Sequence, residues 1–261
     1  MITRARAQAG DLSAALTDLG ATVLPLPTIA IADPASFDDL DSALGEAASG
    51  SYEWIVFLSV NAVEQVAKRL AALSLDPLAV CGSRVVAVGK ATARALTDKG
   101  ISVDLFPSTF TAEGVAEVLG DGQGMVLVPR AEDAPVESLD RLRSRGWRVN
   151  EVVAYRTVLV AEGPGRDLLK KRRFDVVTFT SGSTARGLAS MVSPAQAGLS
   201  PEDPDARKVV CIGPVTAAVA KDLGFRVDAI AAEHSTEGLV ATLVKLWLNP
   251  AGQDKDGEMA R

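Results

Sequence analysis

Short apolar runs alternate along the chain with longer stretches in which apolar residues recur every three or four positions. "WIVFL" at 54–58 is followed by "SVNAVEQVAKRL", and "VVTFT" at 176–180 by "SGSTARGLASM". Apolar runs of this length bounded by turn residues read as buried strands, and the three-to-four spacing reads as amphipathic helix. In the first half, strands are expected at Ile2–Arg4, Thr22–Leu26, Trp54–Leu58, Arg84–Val88 and Val103–Phe106, with helices between them. Gly20 and Gly100 stand just before strands, where a helix end calls for left-handed backbone. Alternating strand and helix at this spacing imply α/β architecture, with parallel sheets covered by helices on both faces.

The pattern occurs twice. "ITRARAQAGDLSAALTDLGATVLPLPTIAI" near the start matches "VPRAEDAPVESLDRLRSRGWRVNEVVAYRT", with Arg4 against Arg130 and Gly20 against Gly146, both 126 residues apart. Ser59 and Ser181 are 122 apart, and Gly89/Gly213, Thr92/Thr216, Gly100/Gly224 and Glu113/Glu237 are each 124 apart. Two doubly wound α/β domains follow.

The segments "PTIAIAD" (27–33) and "VAYRTVLVA" (153–161) hold the same place in each repeat and alternate like paired strands. Side by side they would form a two-strand hinge, with residues 1–26 and 162–248 in one domain and 34–152 in the other. The plainer alternative is two consecutive domains divided near residue 122, at "GDGQG", a stretch that also fits a helix-to-strand turn. Residues 249–261 are polar with Pro and Gly and are expected to be a disordered tail. The first strand starts almost at Met1, whereas its counterpart reads "GMVLVPR", so it is expected to be clipped.

Composition narrows the classes. The 261 residues are 48% hydrophobic, 23% charged and only 5% aromatic, so the cores rest mainly on Ala, Val and Leu. No apolar run approaches the roughly 18 residues of a membrane span, and no signal-peptide pattern opens the chain; a cytoplasmic protein without a membrane partner is expected. Net charge is −6, and the basic cluster "KKRRF" at Lys170–Phe174 fits a solvated helix end better than a nucleic-acid footprint. Cys81 and Cys211 are too few for a disulfide framework and read as reduced packing residues. No long exposed apolar stripe is evident, and a monomer is expected.

Several chemistries lack the residues they need. His234 is the sole histidine, and no G-x-S-x-G elbow, CxxC, HExxH, dinucleotide fingerprint or P-loop appears. Neither metal nor organic cofactor is expected. What remains is a set of corners where a strand ends and a helix begins: "SVNA" at 59–62, "GKAT" at 89–92, "SGST" at 181–184 and "GPVT" at 213–216, with "FTAEG" at 110–114 and "HSTEG" at 234–238. Helix N-termini there offer unpaired N–H groups and a positive dipole end to an anion, at the strand ends where open α/β sheets bind ligands. Ser, Thr and Asn in these places also serve as simple caps. Arg4 and Arg130 follow the first strands of their repeats, placed either to clamp carboxylates or to make surface ion pairs. Tyr155 reads as a packing tyrosine made interesting by its place on a hinge strand; His234 aligns with Phe110 and reads as packing or surface.

The ordered motifs "WIVFLSVNAV", "VAVGKATARAL", "FTAEGV", "LVPRAE", "VVAYRTV", "FDVVTFTSGSTARGL" and "VVCIGPVTAAVAKDLG" resemble the uroporphyrinogen-III synthase family from residue 2 to about 247. The resemblance implies two α/β domains joined by a two-strand ladder. It also implies a cofactor-free cyclisation of hydroxymethylbilane, a tetrapyrrole with eight carboxylates, to uroporphyrinogen III with loss of water and inversion of ring D. By the same resemblance Tyr155 is expected near the leaving hydroxyl, with Thr216, Thr92, Ser59, Ser181, Ser183, Gly213 and Gly89 lining the substrate site. A non-catalytic protein that keeps the fold and binds a tetrapyrrole or polycarboxylate is the competing reading.

Overall fold

The computed structural model describes residues 1–5, 8–77, 82–135, 139–160, 166–203, 205 and 207–248. Cys81, residue 161 of the second hinge segment, residues 162–165 and the 249–261 tail lie outside the described residues. In chain order the first elements are α1 (Gly10–Asp18), β1 (Ile29–Ala32), α2 (Asp38–Ala48), β2 (Trp54–Phe57), α3 (Val60–Ala72), β3 (Arg84–Ala87), α4 (Lys90–Asp98) and α5 (Ala112–Leu119). There follow β4 (Met125–Ala131), α6 (Asp140–Ser144), β5 (Arg148–Leu159), α7 (Arg166–Lys170), β6 (Val176–Phe179), α8 (Gly182–Met191), α9 (Pro194–Ala197), β7 (Lys208–Cys211), α10 (Pro214–Asp222), β8 (Ala229–Ile230) and α11 (Thr236–Leu248).

The chain divides into two compact units, one comprising Met1–Ala30 with the chain from Leu159 onward, the other Ile31–Val158. The five-stranded sheet runs β1-β5-β4-β2-β3, and the three-stranded sheet runs β6-β7-β8. Single-residue bridges extend both. Ile2 pairs in parallel with Thr178 and with Pro25, and Leu105 pairs in parallel with Val86. Counting these, the first unit reads Pro25, Ile2, β6, β7, β8 across its sheet, and the second reads β5, β4, β2, β3, Leu105. The two orders correspond strand for strand under the sequence repeat.

Three of the expected strands shrink to these bridges, for two reasons. Around Ile2 the backbone makes ladder bonds, its N–H to Leu24 at 3.0 Å and its C=O from Leu26 at 2.8 Å, but the next donor, Thr28, bonds the Thr3 carbonyl at 3.1 Å and so leaves the register, while Pro25 and Pro27 have no N–H to offer on the opposite edge. At the other edge a side chain takes the place of a backbone acceptor. Asp104 accepts the Val85 N–H at 2.7 Å, and its repeat partner Asp228 accepts that of Val209 at 2.8 Å, so regular pairing beyond β3 and β7 is cut short. Elsewhere the expected glycine ends appear, with φ of +84° at Gly20 and +78° at Gly100.

Strand side chains alternate between two buried faces, as a helix-covered parallel sheet requires. In the second unit Ile55, Phe57, Val85 and Leu127 pack with Leu44, Val63, Val66 and Leu96, while Trp54, Val56, Val86 and Val126 pack with Val115, Leu142 and Trp147 on the opposite face. The first unit repeats the scheme, Val177, Phe179, Val209 and Cys211 against α8–α10 on one side, Ile2 and Val210 against Leu12 and Leu239 on the other. Phe179 and Phe225 meet edge to face with centroids 5.1 Å apart.

Cys211 is fully buried in this layer, and burial pushes its thiol from an ordinary 9.0 up to about 12, with Lys221 opposing weakly. In a Cys81→Ser background the thiol is therefore expected to resist a disulfide-exchange reagent at pH 8 until urea unfolds the protein. Because the folded pKa is raised, the folded state holds more protons than the unfolded state between about pH 9 and 12, and stability falls as pH rises through that window. Alkaline unfolding of Cys211→Ala compared with the parent should show a shallower fall. Rapid modification of the native thiol would contradict this.

Candidate active site

The carboxyl ends of the two parallel sheets carry the corners that the repeat singled out, and hydrogen bonding divides them into two kinds. At the first kind a hydroxyl caps the helix. Ser59 precedes α3 and accepts the Ala62 N–H at 3.1 Å; Ser181 precedes α8 and accepts the Thr184 N–H at 3.3 Å, while Thr184 bonds back to it in a capping box. Ser183 bonds Ser181 at 2.9 Å. Thr111 and Ser235 cap α5 and α11 in the same way, accepting from Gly114 at 3.1 Å and Gly238 at 3.0 Å. These four helix starts meet part of their own demand for an acceptor.

The second kind is left open. Gly89 before α4 and Gly213 before α10 have no side chain to donate an acceptor, and neither helix has a side-chain cap. Their backbone is extended, with φ of −173° and −170°, so glycine is not needed for its conformation. What a side chain would meet there is a crowded ring. A Cβ on Gly89 would stand 3.2 Å from the Phe110 ring, and one on Gly213 would stand 3.1 Å from the His234 ring. Beside the expected access of a ligand to the backbone, the absent side chain at each glycine leaves room for an aromatic ring from the following loop. The recurring 21-residue spacing between glycine and ring was the signal for this contact.

Thr92 and Thr216 occupy the third position of these two uncapped turns and are 4% and 6% exposed. Among the described residues neither hydroxyl has a hydrogen-bond partner, and neither is among the buried polar atoms sealed off without one, so both reach the surface through narrow openings. Each glycine corner thus combines free helix N–H groups with a hydroxyl able to donate, an arrangement that suits a carboxylate.

The two arginines have different surroundings. Arg130, its side chain 9% exposed, is ion-paired with Glu151 on the neighbouring strand, and it bonds the Ala134 carbonyl; Glu151 also pairs with Arg143. Its charge is committed inside its own unit. Arg4 bonds Thr236 Oγ1 at 3.2 Å at the start of α11. Burial pushes its guanidinium below the ordinary value, with Asp11 opposing, yet arginine keeps its charge at neutral pH. A partly desolvated cation at a helix start is a second feature favouring an anion in the first unit.

Tyr155 lies on β5, 7% exposed, with its ring in the core of the second unit. Its position depends on a break in register. Arg130 pairs with Val153, but Ala131 pairs with Tyr155, so Ala154 is skipped. Such a bulge re-aims the next side chain. The Tyr155 hydroxyl meets Ser59 Oγ at 3.0 Å, which joins the hinge-strand tyrosine to the capping serine after β2. Neither the bulge nor the Ser59 contact is visible in a linear pattern.

The family model for uroporphyrinogen-III synthase HemD matches residues 10–241. A uroporphyrinogen-III synthase of Synechococcus elongatus is 32% identical over 254 residues, spanning 93% of this chain and 93% of that protein. Among solved structures, a mutant uroporphyrinogen III synthase from the extremely thermophilic bacterium Thermus thermophilus superimposes with a TM-score of 0.66 at 19% identity, covering 96% of this chain and 98% of that one. The uroporphyrinogen-III synthetase of Helicobacter pylori does so with a TM-score of 0.60 at 20% identity over 88% and 94%. These two likenesses show the shared α/β fold, and the family follows from the sequence match over most of the length: the chain belongs to the uroporphyrinogen-III synthase family.

Proposed function

We propose that this protein cyclises hydroxymethylbilane to uroporphyrinogen III, with loss of water and inversion of ring D, and that Tyr155 assists departure of the terminal hydroxyl. The observation that carries the proposal is the 3.0 Å contact between Tyr155 Oη and Ser59 Oγ, at the strand end that opens α3. Ser59 already accepts one hydrogen bond from Ala62 N. When its own proton is directed to Tyr155 Oη, the phenol proton is left to be given to a leaving group.

The substrate supplies most of the driving force. A pyrrole nitrogen lone pair expels the terminal hydroxyl, which takes the tyrosine proton and leaves as water, and a cationic azafulvene results. The substituted carbon of ring D attacks this centre, the spiro product fragments, and reclosure with loss of a proton restores the phenol. Because the linear tetrapyrrole also closes unaided without inversion, the protein's task is to hold the chain where attack at the substituted carbon is favoured. Carboxylates placed at the Gly89/Thr92 and Gly213/Thr216 corners, with Arg4 near α11, would supply that orientation; Ser181 and Ser183 fit supporting contacts. Arg130 fits a structural role.

The domain reading, 1–26 with 162–248 and 34–152 with 27–33 and 153–161 as connectors, belongs to the same proposal and is supported by the neighbouring places of β1 and β5 in one sheet. So do a monomeric state and a cytoplasmic location; no helix among the described residues is long and apolar enough to cross a membrane. In a coupled assay fed with freshly generated hydroxymethylbilane, isomer III is expected as the dominant product when the purified protein is present. Accumulation of isomer I alone would leave a binding protein without turnover.

A further inference from the structure

The two open corners are equivalent by repeat but not by charge. In the first unit, Pro214 starts α10, removing one backbone donor and adding no charge. In the second unit the same place is Lys90, an exposed lysine at the first position of α4. The placement runs against the helix dipole: a cation at a helix N-terminus is repelled by the unpaired N–H groups, and here there is no acidic residue in the first turn and no side-chain cap to offset it. Lys90 forms no ion pair among the described residues. Two residues on, Thr92 is only 4% exposed, with a hydroxyl that has no partner among the described residues and still reaches the surface. An exposed ammonium, the unpaired N–H groups of a helix start and an unused hydroxyl thus belong to one uncapped turn that carries no acidic residue. Local choices that conflict with helix stability are expected where function requires them.

We infer that Lys90 is a positioning residue that, with Thr92 and the first turn of α4, forms the charged carboxylate anchor of the substrate site, while the α10 corner is its uncharged counterpart. The inference rests on the tetrapyrrole reading for the identity of the ligand, and its chemistry is that of a polycarboxylate. It links two effects of opposite sign. Neutralising Lys90 removes an unfavourable charge from the helix start in the free protein and an attractive one from the bound complex.

The test uses the full chain, with Lys90→Met and the charge-preserving Lys90→Arg. Lys90→Met is expected to raise the Tm of the free protein by a degree or so, and to raise KM for hydroxymethylbilane about 5- to 10-fold while kcat changes less than about 2-fold, in line with loss of one charge-assisted contact. Lys90→Arg should restore most of the affinity. Binding of uroporphyrin III, a stable octacarboxylate, followed by fluorescence, should weaken by a similar factor in Lys90→Met and become less sensitive to salt. If wild type yields isomer III but KM and porphyrin affinity are unchanged in Lys90→Met, the anchor is overturned. If wild type yields no isomer III yet binds the porphyrin in a Lys90-dependent way, the anchor stands and the catalytic reading fails.

Discussion

Tyr155→Phe is expected to lower kcat for isomer III formation by about 10- to 100-fold while leaving the fold intact. This lies at or below the lower end of the roughly 100- to 10,000-fold effect of a lost proton donor, because the pyrrole nitrogen itself drives the hydroxyl out. Phenylalanine keeps the ring that packs in the second unit's core and removes only the hydroxyl, so the cost to stability is limited to one hydrogen bond with Ser59, about 1 kcal/mol. The discriminating measurement is the ratio of isomers. With slower catalysis, unassisted closure competes, so the fraction of isomer I should rise with the fall in kcat. Ser59→Ala should show a weaker form of the same behaviour together with a loss of about 1 kcal/mol from the α3 cap. Full activity of Tyr155→Phe would remove the tyrosine from the mechanism.

Arg130→Met should behave in the opposite manner, with a large loss of stability and little change in KM for the molecules that remain folded. Its guanidinium is mostly buried and paired with Glu151, and it also satisfies the Ala134 carbonyl. Methionine fills much of the space but leaves a partly buried carboxylate with Arg143 as its remaining ion-pair partner among those described. Loss of one member of a buried pair costs about 3–5 kcal/mol, and the surviving Arg143 contact reduces this to about 2–3 kcal/mol. The urea midpoint should fall accordingly, with m unchanged. If instead stability is kept and KM rises about tenfold, Arg130 binds substrate. The contrast with Tyr155→Phe separates a residue that holds the sheet from one proposed to assist the leaving hydroxyl.

Much of the architecture could be read in one dimension because it depends on local periodicity. The alternation of apolar runs with three-to-four spacing implied α/β layers, and nearly constant offsets between the halves implied that the strand order of one would recur in the other. Gly20 and Gly100 marked helix ends through a backbone demand that only glycine meets cheaply. The corners themselves were legible too, since Ser, Thr and Gly between a strand and a helix carry the same meaning in any fold.

What those corners do required three dimensions. Ser59 and Thr92 look alike in the sequence, but one hydroxyl is used to cap its own helix and the other has no partner among the described residues. Arg4 and Arg130 align in the repeat, yet Glu151 from a neighbouring strand claims only the second. The glycines at 89 and 213 serve rings that arrive 21 residues later, and Tyr155 reaches Ser59 because a bulge skips Ala154. Periodicity is set by bonds within a few residues and can be read along the chain. The partner of a polar group is set by strand register and by residues distant in sequence, and only the folded chain brings those together.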